Sequence, residues 1–141
     1  MKLSSKGHYG LRAMLALAKA YGSGPVALAQ IAEAERLSTG YLEQLVAKLR
    51  RAGLVQSTRG MRGGYRLACQ PASVTVGEVL RALEGPIAPL ECASEVANPG
   101  CCQQELGCPS KQVWERMRDS IALVLDSTTL ADLCQQEASV A

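Results

Sequence analysis

Apolar residues in the first fifty positions recur at helical spacing in three separate segments. Tyr9, Ala13 and Leu17 share one face of a first helix. A break rich in Gly and Pro at positions 22–25 ends that helix, and a short helix over about 27–35 follows. A tight turn then leads to a third helix. Its N-cap is predicted to be Ser38, and its apolar stripe consists of Leu42, Leu45, Val46 and Leu49.

The pattern after Gly53 is typical of a β-hairpin. Residues 54–57 and 65–67 form two short β-like runs, and a Gly-rich turn at 59–64 separates them. Helix, short helix, tight turn, helix and basic hairpin, in that order, make up a winged helix-turn-helix. The sequence therefore predicts a mainly α fold with one small β-hairpin.

The second half of the chain adds a loop and a long helix. Thr75 and Glu78 form a predicted capping box for a fourth helix. Residues 86–109 contain Gly, Pro and Cys without periodicity, so we expect a loop there. A long helix from Ser110 is predicted to carry the apolar stripe Val113, Met117, Ile121 and Val124, with a last short helix near Thr129. The predicted division is a winged helix-turn-helix domain (1–84, the head), a cysteine-rich loop (85–109, the cysteine loop), and a dimerisation helix with a C-terminal tail (110–141).

Charge is distributed unevenly along the chain. Residues 1–83 carry 12 Lys and Arg against 4 Asp and Glu, whereas residues 84–141 carry 3 against 9. Between Gln44 and Gly77 there are six basic residues and no acidic one. Such a stretch suits a polyanion, because neutralising phosphates releases condensed counterions. A solvated basic face is the alternative, and the order of the elements favours DNA.

The second helix of the helix-turn-helix pair is expected to enter the major groove. Its apolar stripe must face the core, so Thr39, Gly40, Tyr41, Gln44 and Lys48 form the free face. The Gln44 amide can pair with adenine, and Tyr41 can reach a phosphate or a thymine methyl.

Acidic and basic side chains add to this predicted contact surface. The Glu43 carboxylate accepts only from donors such as the cytosine amine, so it can filter sequences. Arg59 and Arg62 at the hairpin tip are candidates for a minor groove. A winged-helix module that binds protein is the alternative, but such a module has no need of six uncompensated cations.

The chain has six cysteines, four of them between Cys92 and Cys108. No secretory pattern begins the sequence, and no apolar run approaches the roughly 18 residues of a membrane span, so we expect a cytoplasmic protein without a membrane partner. In a reducing compartment such a cluster binds metal or performs redox chemistry more often than it forms disulfides. Cys69 and Cys134 are predicted to be small buried residues.

Three stretches together resemble the IscR-like iron–sulfur transcription regulators of the Rrf2 family. They are Met1 to Gly7, Ser38 to Gln44 and Arg59 to Tyr65, and the similarity extends to 76–79 and 113–114. The resemblance implies a homodimer, held by the helix after Ser110, that represses from a pseudo-palindromic operator. It also implies that Ser38, Tyr41, Gln44 and Arg59 touch DNA and that Glu43 tunes sequence choice.

The same resemblance implies an iron–sulfur cluster on Cys92, Cys102 and Cys108. Cys102 and Cys108 have the family's spacing, although the neighbouring Cys101 is an alternative ligand. Soft thiolates suit such clusters. Zinc is a rival, weakened by the lack of Cys-x-x-Cys pairs. A metal-free thiol loop is another alternative.

The fourth ligand departs from the IscR pattern, which places His where this chain has Lys111. His8 is the single histidine, and some relatives take a ligand from this region of the partner subunit, so His8 is a candidate in trans. Imidazole ligation favours a 2Fe–2S cluster, with 4Fe–4S open. Three carboxylates are harder alternative donors: Glu91, Glu95 and Glu105.

We therefore expect a transcription regulator controlled by an iron–sulfur cluster that senses redox, iron or nitric oxide status. Its alternatives are a metal-free or zinc-binding regulator of the same fold and an iron–sulfur electron-transfer protein. The sequence contains no phosphate loop, nucleophile motif or dinucleotide fingerprint, so no enzyme is predicted.

Overall fold

The computed structural model describes residues 3–102 and 107–140. Within them the chain is mainly α-helical with one two-stranded antiparallel hairpin, as predicted. None of these helices is long and apolar enough to cross a membrane. The helices are α1 (Ser5–Lys19), α2 (Leu28–Glu35), α3 (Thr39–Arg51), α4 (Val76–Glu84), α5 (Lys111–Asp126) and α6 (Leu130–Val140), the strands are β1 (Val55–Thr58) and β2 (Gly64–Leu67), and two 3₁₀ turns span Pro71–Ser73 and Glu91–Ala93.

The core of the head lies where α1 to α4 meet. The predicted stripe of α3 is buried completely, and it packs against Met14 and Leu17 of α1 and Val79 of α4. Ser38 caps α3, since its hydroxyl accepts a bond from the Tyr41 amide at 3.1 Å. Thr75 and Glu78 form the predicted capping box at the start of α4. These local predictions are confirmed.

The hairpin of β1, its turn and β2, here called the wing, is attached to the chain before α2. Val26 and Tyr65 exchange both backbone bonds at 2.8 Å. The two backbones approach so closely that a β-carbon on Gly64 would collide with the Val26 carbonyl oxygen. A β-carbon on Gly63 would collide with the Thr58 carbonyl oxygen. Glycine is therefore required here by space as well as by the turn.

The last helix returns to the head. Thr129 pairs with Thr75 in an isolated antiparallel bridge, and Leu130 is fully buried in the core of the head. Two reciprocal bonds cap α6. The Thr129 amide donates to the Asp132 carboxylate at 2.9 Å, and the Asp132 amide donates to the Thr129 hydroxyl at 3.1 Å. The C-terminal segment thus contributes to the core that α1 to α4 begin.

A guanidinium clamp joins α4, the cysteine loop and α5. Arg81 donates to both oxygens of Glu95 at 2.6 and 3.0 Å and to both oxygens of Asp126 at 2.6 and 2.9 Å. Glu95 also accepts from the Ile87 amide at 2.7 Å. The helices are close enough that a β-carbon on Gly77 would collide with the Asp126 carboxylate. Two fork-shaped contacts make this the most directional polar link among the described residues.

The clamp shifts the acid–base behaviour of its members. Hydrogen bonds from Arg81 lower the pKa of Glu95 and that of Asp126, more strongly than burial raises them. Bonds to Asp126 and then to Glu95 raise the pKa of Arg81. A carboxyl whose pKa is lower in the folded state adds stability that is present above its unfolded pKa and lost as pH falls through its folded pKa.

We predict that the clamp makes the fold sensitive to acid. Below about pH 4 the free energy of unfolding should fall more steeply in the natural protein than in Arg81→Gln, because the variant has no cation to favour the two carboxylates. Urea titrations at fixed protein concentration between pH 3 and 7 measure this. Arg116→Gln, an exposed α5 change outside the clamp, is the control and should follow the natural curve. Parallel curves for Arg81→Gln and the natural protein would contradict the prediction.

Candidate nucleic-acid interface and cysteine loop

The outward face of α3 has the exposure expected of a DNA-reading surface. Thr39, Glu43 and Gln44 are exposed, and Lys48 is half-buried. The opposite face is the buried stripe, which sets the rotation of the helix about its axis. Ser38 itself is exposed at the N-terminus of α3, with its hydroxyl engaged as the cap. The contact residues predicted on α3 are thus exposed, except for Tyr41 and Lys48, which are half-buried.

Tyr41 is more constrained than a residue on a free face. Its ring is half-buried against the core and lies edge-on to Tyr9, with centroids 6.5 Å apart and planes inclined by 84°. Its hydroxyl lies 3.2 Å from the Ser5 hydroxyl at the start of α1. The sequence pattern could not indicate this contact, because 36 positions separate the two residues.

The wing tip projects into solvent. Arg59 and Arg62 are exposed, and Met61 between them is more exposed than in an extended chain. No ion pair within the described residues engages the six basic side chains between Gln44 and Gly77. Their charge is therefore available to a polyanion. These six are Lys48, Arg50, Arg51, Arg59, Arg62 and Arg66.

The predicted cluster ligands occupy three places in the cysteine loop. Cys92 lies in the 3₁₀ turn before Ser94, Cys102 is exposed near the middle, and Cys108 lies just before α5. Over residues 3–102 and 107–140 no three His, Cys, Asp or Glu side chains come together as a metal site. His8 is exposed on α1, where its ring contacts Tyr9. Within a single chain, no three of the four predicted ligands therefore come together.

The donor chemistry of the loop nevertheless suits a soft metal. Cys108 lies 3.2 Å from the Ser110 hydroxyl, and this bond, with help from Lys111, lowers the pKa of the thiol. The thiolate is the form that binds metals and attacks disulfides. Cys92 lines a cavity of about 360 Å³ together with Lys111, Glu115 and Arg118. Thiols near cations and open to solvent are those that react.

The carboxylates considered as a fourth ligand differ in availability. Both oxygens of Glu95 are occupied by Arg81, so ligation would require breaking the clamp. Glu91 is exposed in the same turn as Cys92. Glu105 lies outside the described residues. Glu95 is therefore less suitable than Glu91 as a fourth ligand. The position of Glu95 in the sequence could not indicate this, because Arg81 lies 14 positions away.

Of the two cysteines predicted to be buried, one is placed differently. Cys69 is exposed, because β2 ends at Leu67 and the chain then turns outward towards Pro71, so that prediction was wrong. Cys134 is half-buried on α6 and packs against the core. Burial raises the pKa of its thiol, as expected for an inert residue.

Comparison with known proteins agrees with this architecture. Residues 3–136 match the model of the Rrf2 family, described as an iron-dependent transcriptional regulator. The chain is 48% identical over 134 residues to the transcriptional regulator CymR of Bacillus subtilis, covering 94% of this chain and 89% of that protein. It is 41% identical over 133 residues to IscR of Aliivibrio salmonicida, covering 94% and 77%.

A solved structure shares the whole fold. That of CymR, the global cysteine regulator of B. subtilis, superposes with a TM-score of 0.83 at 46% identity and covers 96% of this chain and 98% of that one. Family match, sequence relatives and fold agree. The chain therefore belongs to the Rrf2 family of DNA-binding transcriptional regulators.

Proposed function

We propose that the protein is a homodimeric repressor that reads a pseudo-palindromic DNA operator with α3 in the major groove and the wing at a minor groove. The observation that carries this proposal is the exposed face of α3 and the wing, which present six cations without a carboxylate partner. Gln44 and Glu43 would select bases, while Ser38, Thr39, Tyr41 and Lys48 would contact the backbone or base edges. Arg59 and Arg62 would enter the minor groove.

Two single variants test this assignment. In Gln44→Ala we expect a loss of about 1–3 kcal/mol in operator binding and relaxed preference at one base pair per half-site. Arg59→Ala should weaken binding at a different position, in the minor groove. Binding is measured by titrating labelled duplexes selected in vitro, with Gln135→Ala on α6 as the control. Equal affinity of all three variants and the natural protein would refute the assigned surface.

The proposed dimer rests on an uncovered apolar stripe of α5. Val113, Met117 and Val124 are 52%, 43% and 63% exposed, and they share one face of the helix with the half-buried Ile121. The other side of α5 packs on α4 and on the 3₁₀ turn at Glu91–Ala93. Burying this stripe against a second copy would remove its apolar surface from water. Two-fold symmetry would then place two α3 helices about one DNA turn, or a multiple of it, apart.

We predict that Ile121→Asp combined with Val124→Asp gives monomers that lose operator binding. Each introduced carboxylate would have to be desolvated in the interface, a cost far above that of a surface change. Sedimentation velocity measures the mass of the variant in solution, and fluorescence anisotropy measures its binding to labelled operator. Val96→Asp, at an exposed valine of the cysteine loop, should remain dimeric. An intact dimer of the double variant would place the interface elsewhere.

We further propose that Cys92, Cys102 and Cys108 hold an iron–sulfur cluster, with His8 of the second subunit completing it. The support is the soft donor set of the loop, the lowered pKa of Cys108 and the family's description as iron-dependent. Three thiolates and one imidazole favour 2Fe–2S over 4Fe–4S. Such a cluster would supply sensitivity to oxidants, iron supply or nitric oxide. Because the cluster would join the cysteine loop of one subunit to α1 of the other, gaining or losing it would change the angle between the head and the dimer helix.

A metal-free thiol sensor in the cytoplasm is the second candidate. Its support is the similarity to a protein titled a global cysteine regulator, together with Cys92, which lines one cavity with Lys111 and Arg118, and the lowered pKa of Cys108. In that case the same thiols would respond by reversible oxidation rather than by binding iron. A zinc site on these thiols is a third outcome of the experiment below.

Anaerobic purification with metal and sulfide analysis separates the candidates. The proposal expects iron and sulfide in equal amounts, visible absorption, and loss of both in Cys108→Ser. His8→Ala should change the spectrum, whereas the control Cys101→Ser should not. Zinc without sulfide, or no metal, would exclude the cluster. An unchanged spectrum in His8→Ala with cluster loss in Cys101→Ser would refute both the ligand in trans and the choice of Cys102.

A further inference from the structure

The first turn of α1 is fixed to the rest of the head by Glu84, the last residue of α4. Its Oε1 atom accepts bonds from the Ser4 hydroxyl at 2.5 Å, the Gly7 amide at 2.8 Å and the Ser4 amide at 3.3 Å. Burial alone would raise the pKa of Glu84, but these bonds outweigh it and lower the pKa. A β-carbon on Gly7 would lie 3.0 Å from the same oxygen, so the two helices meet closely.

This anchored turn lies beside the first turn of α3. The Ser5 and Tyr41 hydroxyls are 3.2 Å apart, and the Tyr41 ring is held from the side by Tyr9. Two hydroxyls at this distance share one proton between them, which leaves the other proton to donate outward. The pair is therefore oriented before any ligand arrives, and its open side faces solvent because Ser5 is exposed.

The charge at this position is favourable to an anion. Lys6 is exposed, and it forms no ion pair within 4.0 Å among the described residues. Its charge does help to lower the pKa of Glu84, so the two groups lie near each other. The Glu84 carboxylate already accepts three bonds from α1 through one oxygen and is turned towards that helix. Lys6 thus supplies the outward charge.

We propose that the first turn of α1 is part of the DNA interface, where the hydrogen-bonded pair of Ser5 and Tyr41 hydroxyls donates its remaining proton to one backbone phosphate and Lys6 neutralises that phosphate. The inference rests on the proposed placement of α3 in the major groove, because Tyr41 lies in the first turn of that helix. It adds a contact outside the helix-turn-helix and the wing. The contact reads no base, so its contribution should be the same for every sequence.

Ser5→Ala, Tyr41→Phe and the double variant test the shared phosphate. Each single change should weaken operator binding about tenfold, because it removes either the hydroxyl that donates to the charged phosphate or the hydroxyl that orients this donor. The double variant should be weaker than either single variant by much less than a further tenfold, since the two hydroxyls act as a pair that makes one bond to the phosphate. Ser5→Thr keeps a hydroxyl and should retain the natural affinity. Urea unfolding of each variant verifies that the head is intact.

Lys6→Gln tests the charge, with Lys19→Gln at the other end of α1 as its matched control. The slope of log affinity against log salt should fall by about 1 per site in Lys6→Gln and stay unchanged in Lys19→Gln. The affinity that Ser5→Ala, Tyr41→Phe and Lys6→Gln lose should be the same on operator and on random duplex. Gln44→Ala, in contrast, should lose more affinity on the operator. Independent effects of Ser5→Ala and Tyr41→Phe, an unchanged affinity in either, or an unchanged slope in Lys6→Gln would overturn this inference. If Gln44→Ala is also without effect, the proposed function fails as well.

Discussion

The placement of the cysteine loop and of α5 against the head depends on the guanidinium of Arg81. It lies between the carboxylates of Glu95 and Asp126, so one planar group orients the cysteine loop and the end of α5 relative to α4. A lysine could not replace it, because a single ammonium cannot make two fork-shaped contacts. Glu95 lies three residues after Cys92, and a change at that thiol therefore has a short mechanical route to both the head and the proposed dimer helix.

The head separates its structural and its functional side chains by face. Along α3 the core takes one side, and the polar side chains lie on the other, where the side-chain bonds are those of Tyr41 with Ser5 and of Arg51 with the Ala47 carbonyl oxygen. In the wing, Gly63 and Gly64 let the backbone pass so close to Thr58 and Val26 that the tip is held on a short, rigid base. Rigid support for exposed polar groups limits the entropy lost on binding.

Local features of the sequence were predicted well because they depend on near neighbours. Ser38 with Tyr41 and Thr75 with Glu78 lie three positions apart, so the caps are readable directly, and the buried stripe of α3 follows from its period. Burial of Cys69 was predicted wrongly, because it depends on where β2 ends and not on residue type. Tyr41 was assigned to the free face, whereas its neighbours across the core hold it at the edge.

The sequence by itself determined the order of the elements, the basic character of the head and the set of available thiols. Only the tertiary structure decided which distant groups meet. Arg81 and Asp126 are 45 positions apart, Ser4 and Glu84 are 80 apart, and Ser5 and Tyr41 are 36 apart. Such contacts leave no period or spacing in the chain, because they arise when independent helices pack. Helical and strand periodicity specifies which face is buried, and the packing of those faces then decides which polar ends come within hydrogen-bond distance.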